Sequence, residues 1–326
     1  MAVRINIPTV SLEERWTAAP LRRSRFTTKH LRFVLVFALL FSLVANIYFL
    51  TRPSPLSTSA LRPMASDRYK HASLVSELPG RGVDYSRLTH LVVVPGHAIY
   101  RGLYNSPKDP MDWFLKPYQR DDVPAYLKHI ERGMRMVKEH GATLLVFSGG
   151  ATRNGAGSRT ESQSYWLAAE HQGWITSDIA PRIYTEEFAA DSYQNLLFSI
   201  CRFHEVTGNY PERITVVGFG FKRDRFVNLH RKAINFPKIR FDYIGIDPAR
   251  NMAKDEQLER ENGYKLFAED MYGCEVPLST KRKERNPFKR QHGYKLSCPE
   301  MSELLDYCPN PPNAVFDKGL PWWMGL

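Results

Sequence analysis

The chain of 326 residues is long enough for one large domain with additional segments, and its 43% hydrophobic content suffices for a sizeable core. Its net charge of +11 is concentrated in two places, because residues 1–32 contribute +5 and residues 281–295 contribute +6. The remainder is neutral. A neutral body with two basic appendages differs from a surface that binds duplex nucleic acid, so we expect no nucleic acid partner.

The first basic segment precedes a predicted membrane anchor at residues 31–50, LRFVLVFALLFSLVANIYFL, in which Arg32 is the one charged residue. A helix of about 20 residues spans the hydrocarbon thickness of a bilayer. The preceding basic residues predict that residues 1–30 form a cytosolic tail and that the lipid bilayer is a partner through residues 31–50. A cleaved signal peptide is the main alternative. A mitochondrial targeting segment is a weaker one, because Glu13 and Glu14 are acidic.

The region after the anchor divides into three parts. Residues 51–68 are rich in Pro and Ser, which predicts a stalk. Residues 69–250 are predicted to form the folded domain, and residues 251–326 a basic and aromatic arm packed on it. A solvated tail or a membrane-surface contact are the alternatives for the arm. The expected protein is single-pass type II, with its domain in the lumen of the secretory pathway, in the Golgi or the endoplasmic reticulum.

Short apolar runs alternate with amphipathic segments through the folded domain. Strands are predicted at 91–94, 142–148, 183–184, 214–217 and 239–246, and helices at 123–140, 160–172, 191–206 and from residue 222. This alternation is typical of an α/β fold with a mainly parallel sheet covered on both faces. Right-handed crossovers then place the loops that follow the strands along one edge of the sheet.

The stretch Arg213–Phe226, RITVVGFGFKRDRF, joins a buried strand to a glycine-bearing turn and a helix start loaded with cations. In such units, backbone N–H groups and cations converge on anionic ligands. We therefore predict that Lys222 and Arg225 bind phosphate or carboxylate at the exposed end of the strand. A solvated turn with ordinary surface cations is the alternative.

Two other strand ends carry further candidates. Gly149 and Gly150 lack a Cβ and would let a ligand approach the backbone. Glu161, on the next helix, is a candidate general base or an acceptor for a sugar hydroxyl, with an ordinary solvated glutamate as the alternative. His97 follows the first strand and is a candidate for acid–base catalysis, with a structural histidine as the alternative.

The helix predicted at 191–206 begins at the same edge. Asp191 and Ser192 suit its N-cap position, and capping alone would explain them. Asn195 lies one turn later and is expected to point toward the crevice. Ser192 and Asn195 are therefore predicted ligand-binding residues.

Five motifs follow one another between residues 88 and 248: VVVPGH at 92–97, FSGG at 147–150, Glu161, DSYQN at 191–195 and GFGFKRDRF at 218–226. Their order resembles the SanA/YdcF-like proteins (domain of unknown function 218), in the eukaryotic membrane-anchored form. The resemblance implies a Rossmann-like three-layer domain, preceded here by one transmembrane helix, and a role tied to the cell envelope or to membrane compartments.

The chain departs from that family's pattern at two positions. The acid that the family has between its hydroxyl residue and its asparagine is replaced by the amide Gln194, between Ser192 and Asn195. Lys222 stands where the family has a histidine, whereas Arg225 holds the position of its arginine.

Several motifs are missing from the sequence, and their absence narrows the classes of function that it could have. It has no GxxxxGK[ST] loop, no GxGxxG after the first strand, no HExxH or CxxC and no GxSxG, so no cofactor is named and no metal site is expected. Cys201 is expected to be buried, and a disulfide among the other three cysteines cannot be assigned.

Two classes of function agree with these features. The first is an enzyme, a hydrolase or a transferase, that acts on an anionic phosphate- or nucleotide-bearing small molecule or a glycan precursor. The second is a non-catalytic membrane-anchored module that binds a ligand or a protein.

The charge asymmetry around residues 31–50 yields a test of topology. We expect residues 66–326 to resist protease in sealed microsomes and to be digested once detergent is added, because the basic flank stays in the cytosol. Immunoblotting of the C-terminal region checks this. Digestion without detergent would show that the orientation is wrong.

Overall fold

The structure is a computed structural model that describes residues 36–37, 39–43 and 82–323. The chain divides into two compact units, Met1–Ser66 and Asp67–Leu326. In the first unit the described residues are helical, and their large apolar side chains are exposed.

The predicted tail and stalk lie outside the described residues, and so does most of the anchor predicted at 31–50. Among the residues that are described, no helix is both long and apolar enough to span a bilayer. The anchor therefore stays a prediction. The predicted domain start at residue 69 also lies outside the described residues, which resume at residue 82.

The described part of the second unit contains seven strands: β1 His90–Pro95, β2 Ile99–Tyr100, β3 Trp113–Phe114, β4 Thr143–Ser148, β5 Ile183–Glu186, β6 Arg213–Gly218 and β7 Phe241–Gly245. Its α-helices are α1 Val123–Glu139, α2 Glu161–His171, α3 Ser192–Thr207, α4 Arg231–Ala233, α5 Ala253–Glu259, α6 Lys265–Glu269, α7 Leu278–Glu284, α8 Tyr294–Ser297 and α9 Ser302–Leu305. Two π-helical segments, Arg225–His230 and Arg260–Tyr264, lead into α4 and join α5 to α6.

Five of the strands form one parallel sheet in the order β5–β4–β1–β6–β7. The prediction of an α/β fold with a parallel sheet flanked by helices is confirmed. The strand predicted at 239–246 is too long, because residues 238–240 form a 3-10 turn in which Ile239 is 91% exposed. The antiparallel pair β2–β3 has no sequence signal, since strands of two residues show no periodicity.

The two faces of the sheet carry separate hydrophobic cores. Val92 and Val94 of β1 pack into the core that contains side chains of α1 and α2. Leu91 and Val93 pack into the core that contains side chains of α3. All four are fully buried. A strand buried on both faces needs a continuous apolar run rather than an alternating one, and this explains the composition of β1.

The strand order reverses at β1, which lies between β4 and β6. The loops that leave the carboxyl ends of β1 and β6 therefore run in opposite directions and open a crevice, the usual ligand position in open parallel sheets. Gly96 follows β1, and a Cβ there would lie 2.5 Å from the Cβ of Glu161. A glycine therefore lets this loop approach the start of α2.

The described C-terminal residues from 251 onward pack on the sheet domain through aromatic contacts and one of two disulfides. The disulfides are Cys201–Cys298 and Cys274–Cys308. Cys201 is buried, as predicted, but its pairing with a cysteine 97 residues away has no local signal. Near the end of the chain, the Trp322 ring lies 5.2 Å from the Phe236 ring.

Candidate functional site

A cavity of about 750 Å³ opens at the carboxyl edge of the sheet, at the crevice between β1 and β6. Six of the eight predicted site residues line it: His97, Glu161, Ser192, Asn195, Lys222 and Arg225. They come from four different strand ends, so the parallel sheet brings together residues that are far apart in the sequence.

Lys222 lies on the first turn after β6. Its Nζ lies 5.1 Å from the ring centre of Phe219 and 5.8 Å from that of Phe221. In the described part of the chain, no carboxylate forms an ion pair with it. Burial, followed by the positive charge of Arg225, lowers the pKa of Lys222 to about 8. Lys222 is thus a cation that the protein leaves available to a ligand.

The sequence pattern predicts that Arg225 lies at an exposed strand end. In the structure, Arg225 instead forms a buried ion pair. Its Nε lies 3.1 Å from Oε1 of Glu259, and the two side chains are only 11% and 10% exposed. Burial raises the pKa of Glu259, and the charges of Arg225 and Lys222 oppose that shift. Glu259 therefore balances much of the positive charge of Arg225, which the sequence analysis predicts to bind an anionic ligand.

Gly263 leaves room for this ion pair. A Cβ at Gly263 would lie 2.6 Å from the carboxylate of Glu259 and 2.8 Å from Nη1 of Arg225. Arg225 begins one π-helical segment, and Gly263 lies in the other. π-Helical turns are frequent at functional sites, and here two of them meet at the cavity wall.

His97 is stacked against Phe219, with ring centres 4.8 Å apart and planes inclined by 18°. Its Nε2 is buried and has no hydrogen-bond partner in the described structure. Burial, followed by the charge of Lys222, holds the pKa of His97 well below its usual range. His97 is therefore neutral, and its free ring nitrogen is suited to a hydrogen bond with a ligand.

Glu161 is the first residue of α2 and lines the cavity while only 8% exposed. The Thr152 hydroxyl donates a hydrogen bond of 2.5 Å to its Oε1. No cation forms an ion pair with Glu161 in the described residues. The carboxylate thus has one hydroxyl donor and no ion-pair partner in the described residues, so it can accept a further hydrogen bond from a ligand or a water molecule.

Gly149 and Gly150 lie behind Glu161 rather than in the cavity lining. Gly149 has a φ of 149°, and a Cβ there would lie 2.9 Å from Oε2 of Glu161. A Cβ at Gly150 would lie 3.0 Å from the carbonyl oxygen of Ala189. Internal packing thus explains both glycines, and their predicted approach to a ligand stays a prediction.

Ser192 and Asn195 lie in the first turn of α3. Asp191 is its N-cap, since its side chain accepts a hydrogen bond from the backbone N–H of Gln194. The Ser192 hydroxyl is 2.8 Å from Nε2 of His230, a buried histidine that the sequence reasoning missed. His230 has no local signal, because it lies 38 residues further along the chain.

Glu186 is a buried carboxylate behind the cavity that the sequence reasoning also missed. Its Oε1 accepts a hydrogen bond of 2.7 Å from the backbone N–H of Phe188. The Ser148 hydroxyl lies 2.6 Å from Oε2 of Glu186 and 2.9 Å from Oδ1 of Asn195. This hydroxyl has one proton, so it can donate to only one of these two oxygens at a time. Burial raises the pKa of Glu186 to about 7, and the hydrogen bond from Ser148 opposes that shift.

The cations of the cavity outnumber its acids. Arg250 is paired with Asp122 and Asp255, at 2.8 and 2.5 Å. Two lining acids, Asp121 and Glu161, have no cation partner in the described structure. Lining cations without a carboxylate partner there are Lys116, Arg153, Lys222, Lys254, Lys281 and Arg285. This excess of positive charge favours an anionic ligand. No group of three or more metal-ligating side chains occurs within the described residues.

The chain is 31% identical over 274 residues to the uncharacterized protein YOR238W of Saccharomyces cerevisiae (strain ATCC 204508 / S288c). The alignment covers 66% of this chain and 90% of the yeast protein. The chain belongs to the same family as that protein. No family model matches the chain, and no solved structure matches it.

The raised pKa of Glu186 predicts a pH-dependent stability. The folded protein keeps this proton up to about pH 7, whereas the unfolded chain loses it near pH 4.5. The free energy of unfolding should therefore fall as the pH rises between these values, by about 2–3 kcal/mol. Glu186→Gln should lose this dependence.

Urea unfolding of the wild type and of Glu186→Gln between pH 4.5 and 8 measures this pH dependence of the free energy of unfolding. Glu212→Gln, at an exposed position, is the matched control. Parallel pH profiles for the wild type and Glu186→Gln would contradict the assignment.

Proposed function

We propose that the protein is a membrane-anchored enzyme that acts on an anionic, phosphate-bearing small molecule. The observation that carries the proposal is the position of Lys222. Its ammonium group lines a cavity of about 750 Å³ without a carboxylate partner in the described structure. A phosphate oxygen would supply the missing counter-charge.

Glu161 supports catalysis rather than binding alone. A carboxylate in an anion-binding cavity weakens the binding of the anion, so its presence there needs a compensating role. As a general base, Glu161 would take the proton of a water molecule or an acceptor hydroxyl. The oxygen of that nucleophile would bond to phosphorus as the bond from phosphorus to the leaving oxygen breaks. His97, neutral and with a free Nε2, would hydrogen-bond the bound group.

We further propose that the family is the SanA/YdcF-like one and that the domain is Rossmann-like. The strand order, with its reversal at β1, supports this assignment. The two disulfides support a location in the oxidising lumen of the secretory pathway, as expected for a type II anchor at residues 31–50.

Replacing Lys222 by methionine should weaken the binding of inorganic phosphate to the full-length protein in detergent by about 10- to 100-fold, because a charge-assisted hydrogen bond is lost. Wild-type affinity should fall as the pH rises above about 8, where Lys222 loses its proton. Lys222→Met should lack this decline. Isothermal titration calorimetry at constant ionic strength checks both points.

Lys232→Met is the control, since Lys232 is exposed and lies outside the cavity lining. Equal phosphate affinity in the wild type and in Lys222→Met would overturn the anion site. Loss of cooperative unfolding in Lys222→Met would show that the residue is structural instead.

Replacing Glu161 by glutamine keeps the shape of the side chain but removes the proton acceptor. Turnover should fall about 10²–10⁴-fold, while phosphate affinity stays similar or improves because a negative charge is removed. Phosphate release from p-nitrophenyl phosphate, pyrophosphate and nucleoside diphosphates measures turnover.

Glu170→Gln, exposed on the same helix α2, is the control. Undiminished turnover in Glu161→Gln would remove Glu161 from the mechanism. Phosphate binding without any turnover in the wild type would favour the non-catalytic binding module.

A further inference from the structure

The basic segment at 281–295 is not a free tail, because five of its seven cations form ion pairs or line the cavity. Three of them form ion pairs with acids: Arg282 with Asp191, Arg290 with Glu187, and Lys295 with Asp306. Two others, Lys281 and Arg285, line the cavity and have no carboxylate partner in the described structure. The segment therefore contributes charge to the site.

Helix α7 sets the position of these two cations. Lys281 lies in α7, and Arg285, four residues later, is the C-cap, so both lie on the same side of the helix. Arg282 fixes the helix from the neighbouring side, since its Nε donates to Asp191 over 2.6 Å. Nη1 of Arg285 donates to the carbonyl oxygen of Ala190, over 3.3 Å. The start of α3 and the cations of α7 thus form one wall of the cavity.

A second group of cations therefore shares the cavity with Lys222. Arg285 is close enough to Lys222 for its positive charge to contribute to the lowered pKa of that lysine, and both line the same cavity. A cavity of about 750 Å³ is far larger than one phosphate ion and is in the range that encloses a whole organic ligand. Aromatic rings of Tyr118 and Phe221 also line it. The cavity thus contains two groups of cations and two aromatic side chains.

We propose that the ligand is a diphosphate ester, such as a nucleoside diphosphate. Lys222 binds one phosphate group, Lys281 and Arg285 bind the second, and the organic group packs against Phe221 and Tyr118. This inference rests on the proposed function, because it requires that Lys222 binds phosphate.

The test compares inorganic phosphate, pyrophosphate and adenosine diphosphate by calorimetry on the full-length protein in detergent at constant ionic strength. We expect pyrophosphate to bind about tenfold or more tightly than phosphate, and adenosine diphosphate at least as tightly as pyrophosphate. Lys281→Met and Arg285→Met should each weaken pyrophosphate binding about tenfold and change phosphate binding little. Lys283→Met, exposed on the same helix and outside the lining, should change neither.

Several outcomes separate this inference from the proposed function. If phosphate binding depends on Lys222 but pyrophosphate binds no more tightly, the second phosphate position is overturned and the anion site stands. The same holds if Lys281→Met and Arg285→Met both bind pyrophosphate like the wild type. If pyrophosphate binds as expected but adenosine diphosphate binds less tightly, the assignment of the organic group is overturned. If the wild type binds neither phosphate nor pyrophosphate, both proposals fail.

Discussion

Moving a lysine ammonium out of water costs free energy unless opposite charges or polar groups replace the water around it. Lys222 is held over two phenylalanine rings, and the carboxylates of Glu161 and Glu259 stabilise its charge only from beyond ion-pair distance. Glu259 is already paired with Arg225. Within the described residues, Lys222 is therefore a cation at the cavity without an ion-pair partner, and this is the basis of the proposed anion site.

The parallel sheet determines where in the fold a charged group such as Lys222 can lie. Both faces of the sheet are covered by apolar cores, and the charged groups of the cavity lie beyond the strand ends. At the carboxyl ends, the reversal of strand order at β1 separates two loops and makes room for a cavity. His97 from one loop and Phe219 from the other meet there as stacked rings.

The C-terminal residues are part of this site rather than an addition to it. They contact the sheet domain at a disulfide between Cys201 and Cys298 and at an ion pair between Arg282 and Asp191. The Tyr294 hydroxyl also donates to Glu186, which in turn accepts from the backbone beside the cavity. Contacts of this kind couple the stability of the C-terminal segment to the shape of the cavity wall.

The sequence by itself determines the central strands and their carboxyl ends, because a strand buried on both faces needs an unbroken apolar run that is visible locally. The strands predicted at 91–94 and 214–217 lie within β1 and β6, and Lys222 lines the cavity at the end of β6. Only the tertiary structure determines which side chains contact one another at the cavity. The site joins residues that are distant in the chain, and no local periodicity encodes such distances. Examples are the Arg225–Glu259 pair, the Ser192–His230 contact and the position of Lys281 and Arg285 in the cavity lining.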